Sequence, residues 1–501
     1  MDPEASHNRV PITISVMLAS ILQALDTTIA NVALPHIGGS LSATLEEMDW
    51  VLTSYIVASA IMTPLSGWLA GRYGRKRVLA LSAAGFTIAS AMCGMAHSLT
   101  EIVVFRAIQG IGGAALVPLS QSVLLDINPV ERHGRAMAVW GMGVLIGPII
   151  GPTLGGWLTD NYSWRWVFYI NIPFGILSVL GILTYMRESP RNVKPFDFLG
   201  FALLSLGIGA LQILLDRGQL LDWFSSGEIR IETIVCGLAF YLFLAHSFTA
   251  RHPFVSPALF QDRNFAVGNI FIFVIGVVLF ATLALLPPLL EDLMRYPVTM
   301  TGLVTSPRGI GAFITMAVVG RLVGRLDVRL LIAAGLAVTA ASEWMMCGFS
   351  LQMDSHLVIW SGFLQGVGTG FAYVPLAAVS FATLDRSFRD EGTSIFNLLR
   401  NVGSSIGISI TQALLVRNTQ ISHANLAEHI VPYRPLVHAL PPADFTPHGL
   451  AALNALVTRQ ASMVAYIDDF KFLLVLTLVM IPLIVILKSG RSGASAPVVA
   501  E

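Results

Sequence analysis

Apolar runs of about 18 to 25 residues recur along the whole chain, and nothing else in it constrains the fold so tightly. A helix rises about 1.5 Å per residue, so each run is long enough to cross roughly 30 Å of hydrocarbon. Fourteen such runs can be laid out, the first near 13–35, the fourth near 99–125, the fifth near 136–159, the thirteenth near 393–416 and the last near 472–487. Inside a bilayer every backbone polar group must be satisfied within the protein, and long unbroken apolar segments do so as helices. With 54% hydrophobic and 12% charged residues in 501, there is more apolar surface than a soluble core uses. The expected fold class is an all-α polytopic membrane protein.

Composition also excludes function classes. The formal net charge is zero, which gives no footprint for nucleic acid. Cys93, Cys236 and Cys347 sit in apolar runs without metal-ligand spacing. None of the lysines lies in a glycine-rich phosphate loop, and no paired-His, Cys-His or nucleophile-elbow arrangement argues for an enzyme. Energy for any transport then comes from an ion gradient, with no cofactor.

An even span count puts both termini on one side. With the N-terminus inside, 19 of the 30 lysines and arginines fall on inside segments and eight outside; Arg106, Arg308 and Arg400 lie within spans. That bias predicts cytoplasmic termini. The polar N-terminus followed by a full-length span predicts no cleaved signal peptide.

Shifted by about 255 residues, the chain weakly matches itself. Gly67-Trp68-Leu69-Ala70-Gly71-Arg72 aligns with Gly320-Arg321-Leu322-Val323-Gly324-Arg325, and Gln109-Gly110-Ile111-Gly112 with Gln365-Gly366-Val367-Gly368. The expected organisation is a six-helix bundle in 1–190, two inserted transmembrane helices in 191–262, a second six-helix bundle in 263–490 and a tail in 491–501. Repeats of this kind build transporters with the substrate site between the halves. One long loop, 418–469, falls outside on this topology. It holds Pro432, Pro435, Pro441, Pro442 and Pro447, while Leu453, Leu456, Val457 and Val464 keep helical spacing. It reads either as a solvated linker with a short surface helix or as an amphipathic helix that docks on a partner.

In span 5, Gly143, Gly147, Gly151 and Gly155 recur at every fourth position, which keeps them on one helix face and lets another backbone approach closely. Pro148 and Pro152 add bends. The expected role is a joint between moving halves; a dimerising face is the plainer alternative.

Ionisable groups inside spans are costly and point to function. Asp26 lies near the middle of span 1, with Gln23, Thr27 and Asn31 on the same polar face, expected to line a cavity. It is the proton-site candidate, the alternative being a structural ion pair. Arg106 shares a face of span 4 with Gln109 and Gln121. Its expected mate is Asp26, either as a releasable or as a static pair, or else it binds an anionic substrate. Span 13 presents Asn397, Arg400, Asn401, Ser404 and Ser405 on one side. Candidate substrate contacts are Gln23, Asn31, Gln109, Gln121, Gln365, Tyr373, Asn397, Arg400 and Asn401. Arg308 and Glu291 are placed to pair in the second half, and Glu343, in a peripheral span, is expected to snorkel toward water.

These motifs resemble the major facilitator superfamily, and within it the fourteen-span drug:proton antiporters of the EmrB/QacA type, closest to the EmrB branch. The resemblance runs from Gln23 to Lys488 and rests on Leu25-Asp26-Thr27-Thr28 through Leu34-Pro35, on Arg106 through Gly113, on the ladder to Gly156, on Trp164 through Pro173, and on Leu215-Asp216-Arg217-Gly218. It implies two six-helix bundles plus two inserted helices, proton coupling through Asp26 and Arg106, and a conformational motif of Gly143, Gly147, Pro148, Gly151, Pro152 and Gly155 together with Gly67, Arg72 and Gly74. The superfamily's loop motif after span 2 usually carries an aspartate where Gly71 stands, which puts a carboxylate latch on that side in question. The resemblance further implies a bacterial inner-membrane, proton-coupled multidrug efflux antiporter conferring antibiotic resistance. It would export hydrophobic drugs or weak acids with a periplasmic adaptor (membrane fusion protein) and an outer-membrane channel. A dedicated exporter of an endogenous metabolite, fatty acid or siderophore is the alternative.

Overall fold

The computed structural model describes residues 9–189, 191, 195–430 and 446–488. The first half contains α1 (Arg9–Leu41), α2 (Leu45–Tyr73), α3 (Arg75–Met95), α4 (Leu99–Gly113) with its continuation α5 (Leu116–Ile127), α6 (His133–Asn161) and α7 (Asn171–Tyr185). A pair follows, α8 (Phe198–Arg217) and α9 (Gly227–Thr249). Then come α10 (Arg263–Pro288), α11 (Val298–Thr305) with α12 (Pro307–Leu322), α13 (Val328–Met346), α14 (Ser355–Ala382), α15 (Arg389–Ala427) and α16 (Pro447–Leu483). Among the described residues 13 helical segments are long and apolar enough to cross a membrane. The remaining expected span lies inside α15, whose 39 residues suffice in length but whose polar face lowers its hydropathy.

Local chemistry sets the element ends. Thr44 and Glu47 form a reciprocal capping box at the start of α2, which satisfies two orphan donors of the first turn. The turns after α2 and α12 each hold a glycine at φ +93°, Gly74 and Gly324, a conformation that side chains with a Cβ rarely adopt.

The sequence repeat is a packing repeat. A Cβ on Gly110 would strike the Tyr55 carbonyl in α2, and one on Gly112 would lie 2.6 Å from the Phe86 nitrogen in α3. In the second half Gly366 meets the Arg308 carbonyl in α12 and Gly368 meets Thr339 in α13. Each Gln-Gly-x-Gly therefore lets one helix seat against its two neighbours at backbone distance. The inserted pair joins both halves: Ser405 in α15 donates to Gln212 in α8 at 3.0 Å, while Thr53 in α2 bonds Asp216. At its entry Asp197 caps α8. Burial raises its carboxyl, but bonds from the Gly200 and Phe254 amides and from His246 outweigh that and hold it below the usual carboxylate range.

The glycine ladder differs from its expected role. Gly143 faces Met17, Gly147 the Ala24 backbone, Gly151 Thr28 and Gly155 Ile29, all on α1 of the same half. The Thr28 hydroxyl also donates to the Gly147 carbonyl at 3.0 Å. The seam between halves runs along the opposite face of α6, where Gly141 meets Met316, Ile149 meets Gly309 and Ala138 meets Gly320 of α12. A four-residue step fixes one face only, and α1 occupies it. The helix continues through Pro148 and Pro152, whose side chains lie outside the described residues.

The expected 418–469 loop is mostly helix at both ends. α15 runs on to Ala427, and α16 begins at Pro447 and is continuous with the last span. Pro432, Pro435, Pro441 and Pro442, like the 491–501 tail, lie outside the described residues.

Gly147→Leu is expected to destabilise the fold by about 1–3 kcal/mol, because the α1 backbone blocks the new side chain. Gly237→Ala, with open space around it, is expected to be neutral. Thermal unfolding of both variants in detergent checks this; equal midpoints would show that the ladder is not a tight seam.

Candidate functional site

Asp26 is completely buried at mid-height of α1, and its contacts all come from its own half. Arg106 Nη1 donates to Oδ2 at 2.6 Å, Gln109 Nε2 to Oδ1 at 2.8 Å and Asn171 Nδ2 to Oδ1 at 3.0 Å. Arg106, itself 1% exposed, also donates from Nη1 to Gln109 at 2.8 Å and from Nε to the Val51 carbonyl at 3.2 Å. Its guanidinium lies over the Tyr55 ring, 4.3 Å from the centroid. Two charges survive in so dry a setting because each is paired and hydrogen-bonded.

The other polar groups on this face of α1 make no hydrogen bond to Asp26 among the described residues. Gln23 sits beside Tyr55, Thr27 donates to the Ala24 carbonyl at 2.9 Å, and Asn31 is exposed and apart from Asp26. Amides from α4 and α7 reach the carboxylate instead. Asn171 and Tyr55 were not among the sequence candidates, because nothing in a single span shows which distant helix will face Asp26.

A second constellation lies between the halves. Asn397 Nδ2 donates to Gln121 Oε1 at 2.8 Å, joining α15 to α5. One turn on, Arg400 Nη1 reaches the Tyr373 hydroxyl at 3.5 Å and Nη2 reaches Asn401 at 3.3 Å. Tyr373 stacks on Trp140 of α6 with centroids 6.1 Å apart and planes 10° from parallel. The ring closes where Gln121 approaches the Met137 sulfur at 3.7 Å. Gln121, Tyr373, Asn397, Arg400 and Asn401 thus meet at the seam. Gln109 belongs to the Asp26 centre, and Gln365 donates to Thr282 within the second half at 3.0 Å.

At the end carrying the basic residues 72–77, charges lock the halves together. Asp390 at the start of α15 accepts from Arg75 Nε at 2.6 Å and from Ser122 at 2.6 Å. Asp126 pairs with both Arg75 and Arg389. The Ser66 and Ser394 hydroxyls lie 2.9 Å apart, and a Cβ on Gly67 would lie 2.9 Å from the Asp390 carbonyl oxygen. Arg72 instead packs over Trp68, 5.3 Å from its centroid, and Gly74 forms the turn. The carboxylates of this latch come from positions 126 and 390, where Gly71 supplies none. A carboxylate at the mouth of a span reads in sequence as a solvated helix end, which is why they were not singled out.

Two further expectations are corrected. Arg308 makes no ion pair with Glu291: the latter falls in a π-helical turn, Leu289–Leu293, and Arg308 Nε and Nη2 have no hydrogen-bond partner among the described residues. Glu343 does not snorkel; it is completely buried beside Thr477, because α16 covers that face of α13.

Two pseudo-equivalent helical halves around a polar seam, with a buried ion pair in one of them, define a multi-pass membrane transporter. The family signature of the Major Facilitator Superfamily matches residues 16–408, and the chain belongs to that superfamily. It is 37% identical to the fatty acid resistance protein FarB of Neisseria gonorrhoeae over 96% of this chain and 97% of that one. It is 39% identical to the multidrug export protein EmrB of Escherichia coli (strain K12) over 86% and 85%. Among solved structures, the proton:xylose symporter XylE bound to 6-bromo-6-deoxy-D-glucose shares the fold with a TM-score of 0.60 at 15% identity, covering 95% of this chain and 96% of that one. The human organic anion transporter MFSD10 does so at 0.61 and 14%, covering 95% and 100%.

Arg106→Leu alone is expected to cost about 3–5 kcal/mol, since it strands a buried carboxylate. Adding Asp26→Asn is expected to recover more than half of that loss. A double-mutant cycle on unfolding midpoints measures the coupling, and strictly additive losses would show the pair to be energetically independent.

Proposed function

We propose that this chain is a proton-coupled multidrug efflux antiporter of a bacterial inner membrane, exporting hydrophobic and amphipathic compounds by alternating access, with both termini cytoplasmic. The observation that carries the reading is the wholly buried Asp26 on Arg106, in a half that is locked to its partner at the basic end. Cargo binds at the seam around Gln121, Tyr373, Asn397 and Arg400. A proton taken from outside neutralises Asp26 and frees Arg106, and its release inside re-forms the pair. Such a cycle drives export because proton and cargo favour different states of one equilibrium. The multidrug export protein EmrB, matched over most of both chains, supports the substrate class.

We further assign the helical projection of α15 and α16 as the contact for a periplasmic adaptor that leads to an outer-membrane channel. α16 has 37 residues. At about 1.5 Å per residue it is roughly 55 Å long, against roughly 30 Å of hydrocarbon. His423 and Asn454 join the two helices beyond the last span at 2.9 Å. A second reading, a dedicated exporter of fatty acids, is favoured by the likeness to FarB, which extends over nearly the whole of both chains.

Asp26→Asn is expected to abolish export driven by an imposed pH gradient in proteoliposomes while leaving cargo binding measurable; undiminished pH-driven export would reject the assignment. In a background without the three native cysteines, Ser66→Cys with Ser394→Cys is expected to cross-link on oxidation and to arrest transport. Adding Asp390→Asn is expected to slow that cross-linking several-fold, and an unchanged rate would show that the ionic lock does not hold the halves closed.

A further inference from the structure

The two halves use one scaffold with different chemistry on it. In the first, Gln109 donates to Asp26 and Gly110 seats on the backbone of Tyr55, whose ring lies under Arg106. In the second, Gln365 donates to Thr282 and Gly366 seats on the backbone of Arg308. Thr282 therefore stands in place of the carboxylate, and Arg308 in place of Tyr55. The position matching Arg106 is Gly362, where a Cβ would lie 3.9 Å from the Arg308 Cβ. The second half keeps a guanidinium at this height and drops the acid.

Arg308 is 7% exposed, and its Nε and Nη2 have no partner among the described residues. The Oε1 of Gln365, the residue before Gly366, likewise has no partner among the described residues. A buried guanidinium without a counter-ion is strongly disfavoured, so an anion that comes and goes is the state it is built to meet. Its planar fork suits a carboxylate, which accepts two parallel N–H bonds. The neighbouring residue Gly309 abuts Ile149 of the other half, so Arg308 lies one residue from the seam.

We propose that Arg308 is the recognition site for the carboxylate of amphipathic acid cargo, which makes this transporter selective for long-chain carboxylic acids over their neutral esters. The inference rests on the export reading above and deepens it.

The test uses full-length protein in phosphatidylcholine nanodiscs, with oleate and methyl oleate as probes, and proton-driven oleate flux in proteoliposomes. Wild type is expected to bind oleate at least tenfold more tightly than the ester. Arg308→Gln is expected to erase that preference without lowering the unfolding midpoint, since it removes an uncompensated charge. Arg308→Lys, which keeps the charge but not the fork, is expected to retain part of the preference and guards against a folding defect in the first variant. Oleate preference unchanged in both variants would overturn the proposal. So would displacement of oleate by added phosphatidylglycerol in wild type but not in Arg308→Gln, which would make a lipid phosphate the ligand. If wild type drives oleate flux and Arg308→Gln does so with the same half-saturation, export stands and this inference falls; if wild type drives no amphiphile at all, the export reading itself fails.

Discussion

An ionised side chain at mid-bilayer costs on the order of 2.5–3.5 kcal/mol even on the mild insertion scale, and the first half of this protein is assembled around removing that cost at Asp26 and Arg106. Three helices besides α1 contribute. α4 supplies Arg106 and Gln109, α7 supplies Asn171, and α2 gives the Val51 carbonyl and the Tyr55 ring. Arg106 could not reach the Val51 carbonyl or lie over the Tyr55 ring if α4 stood off α2 by the width of ordinary side chains. Gly110 and Gly112 remove that width on two sides of the helix, so the packing glycines and the charge pair are one design.

The second half inherits the packing without that ion pair. Gly403 and Gly407 seat α15 on the α10 backbone as Gly143 and Gly147 seat α6 on α1, and Gly366 and Gly368 repeat the work of Gly110 and Gly112. Backbone approach depends on small residues at fixed spacing and tolerates little change, whereas the polar groups carried on that frame can diverge. The proton-binding and cargo-binding roles proposed here are divided between halves in that sense: a compensated pair on one side, an uncompensated guanidinium on the other.

Much of this was legible in the chain because the signals are local and periodic. Spans follow from run length, and the repeat from Gln-Gly-x-Gly, while the pairing of Asp26 with Arg106 follows from the rarity of charge in hydrocarbon. What escaped depended on which helix faces which. The ladder shows that some backbone approaches α6, yet only the fold shows that it is α1 and not the other half. Glu343 looks lipid-facing until α16 is seen to cover it, and α16 itself was cut short because its first turns, from Pro447, are too polar to read as part of a span. The latch at Asp126 and Asp390 joins residues 264 positions apart that look like solvated helix ends.

These placements make α6 the element through which events at the charge pair reach the seam. Its glycine face grips α1, the helix that carries Asp26, and the Thr28 to Gly147 bond leaves little freedom to slide. Its opposite face meets α12 through Ala138, Gly141 and Ile149, and Trp140 on the same helix stacks on Tyr373 of the polar ring at the seam. Packed interfaces shift between discrete arrangements more readily than they deform. On the proposed cycle, a change in how α1 sits after Asp26 loses its charge carries α6 with it as a unit, and the first contacts that unit would break are those with α12 and Tyr373, at the surface where the halves part.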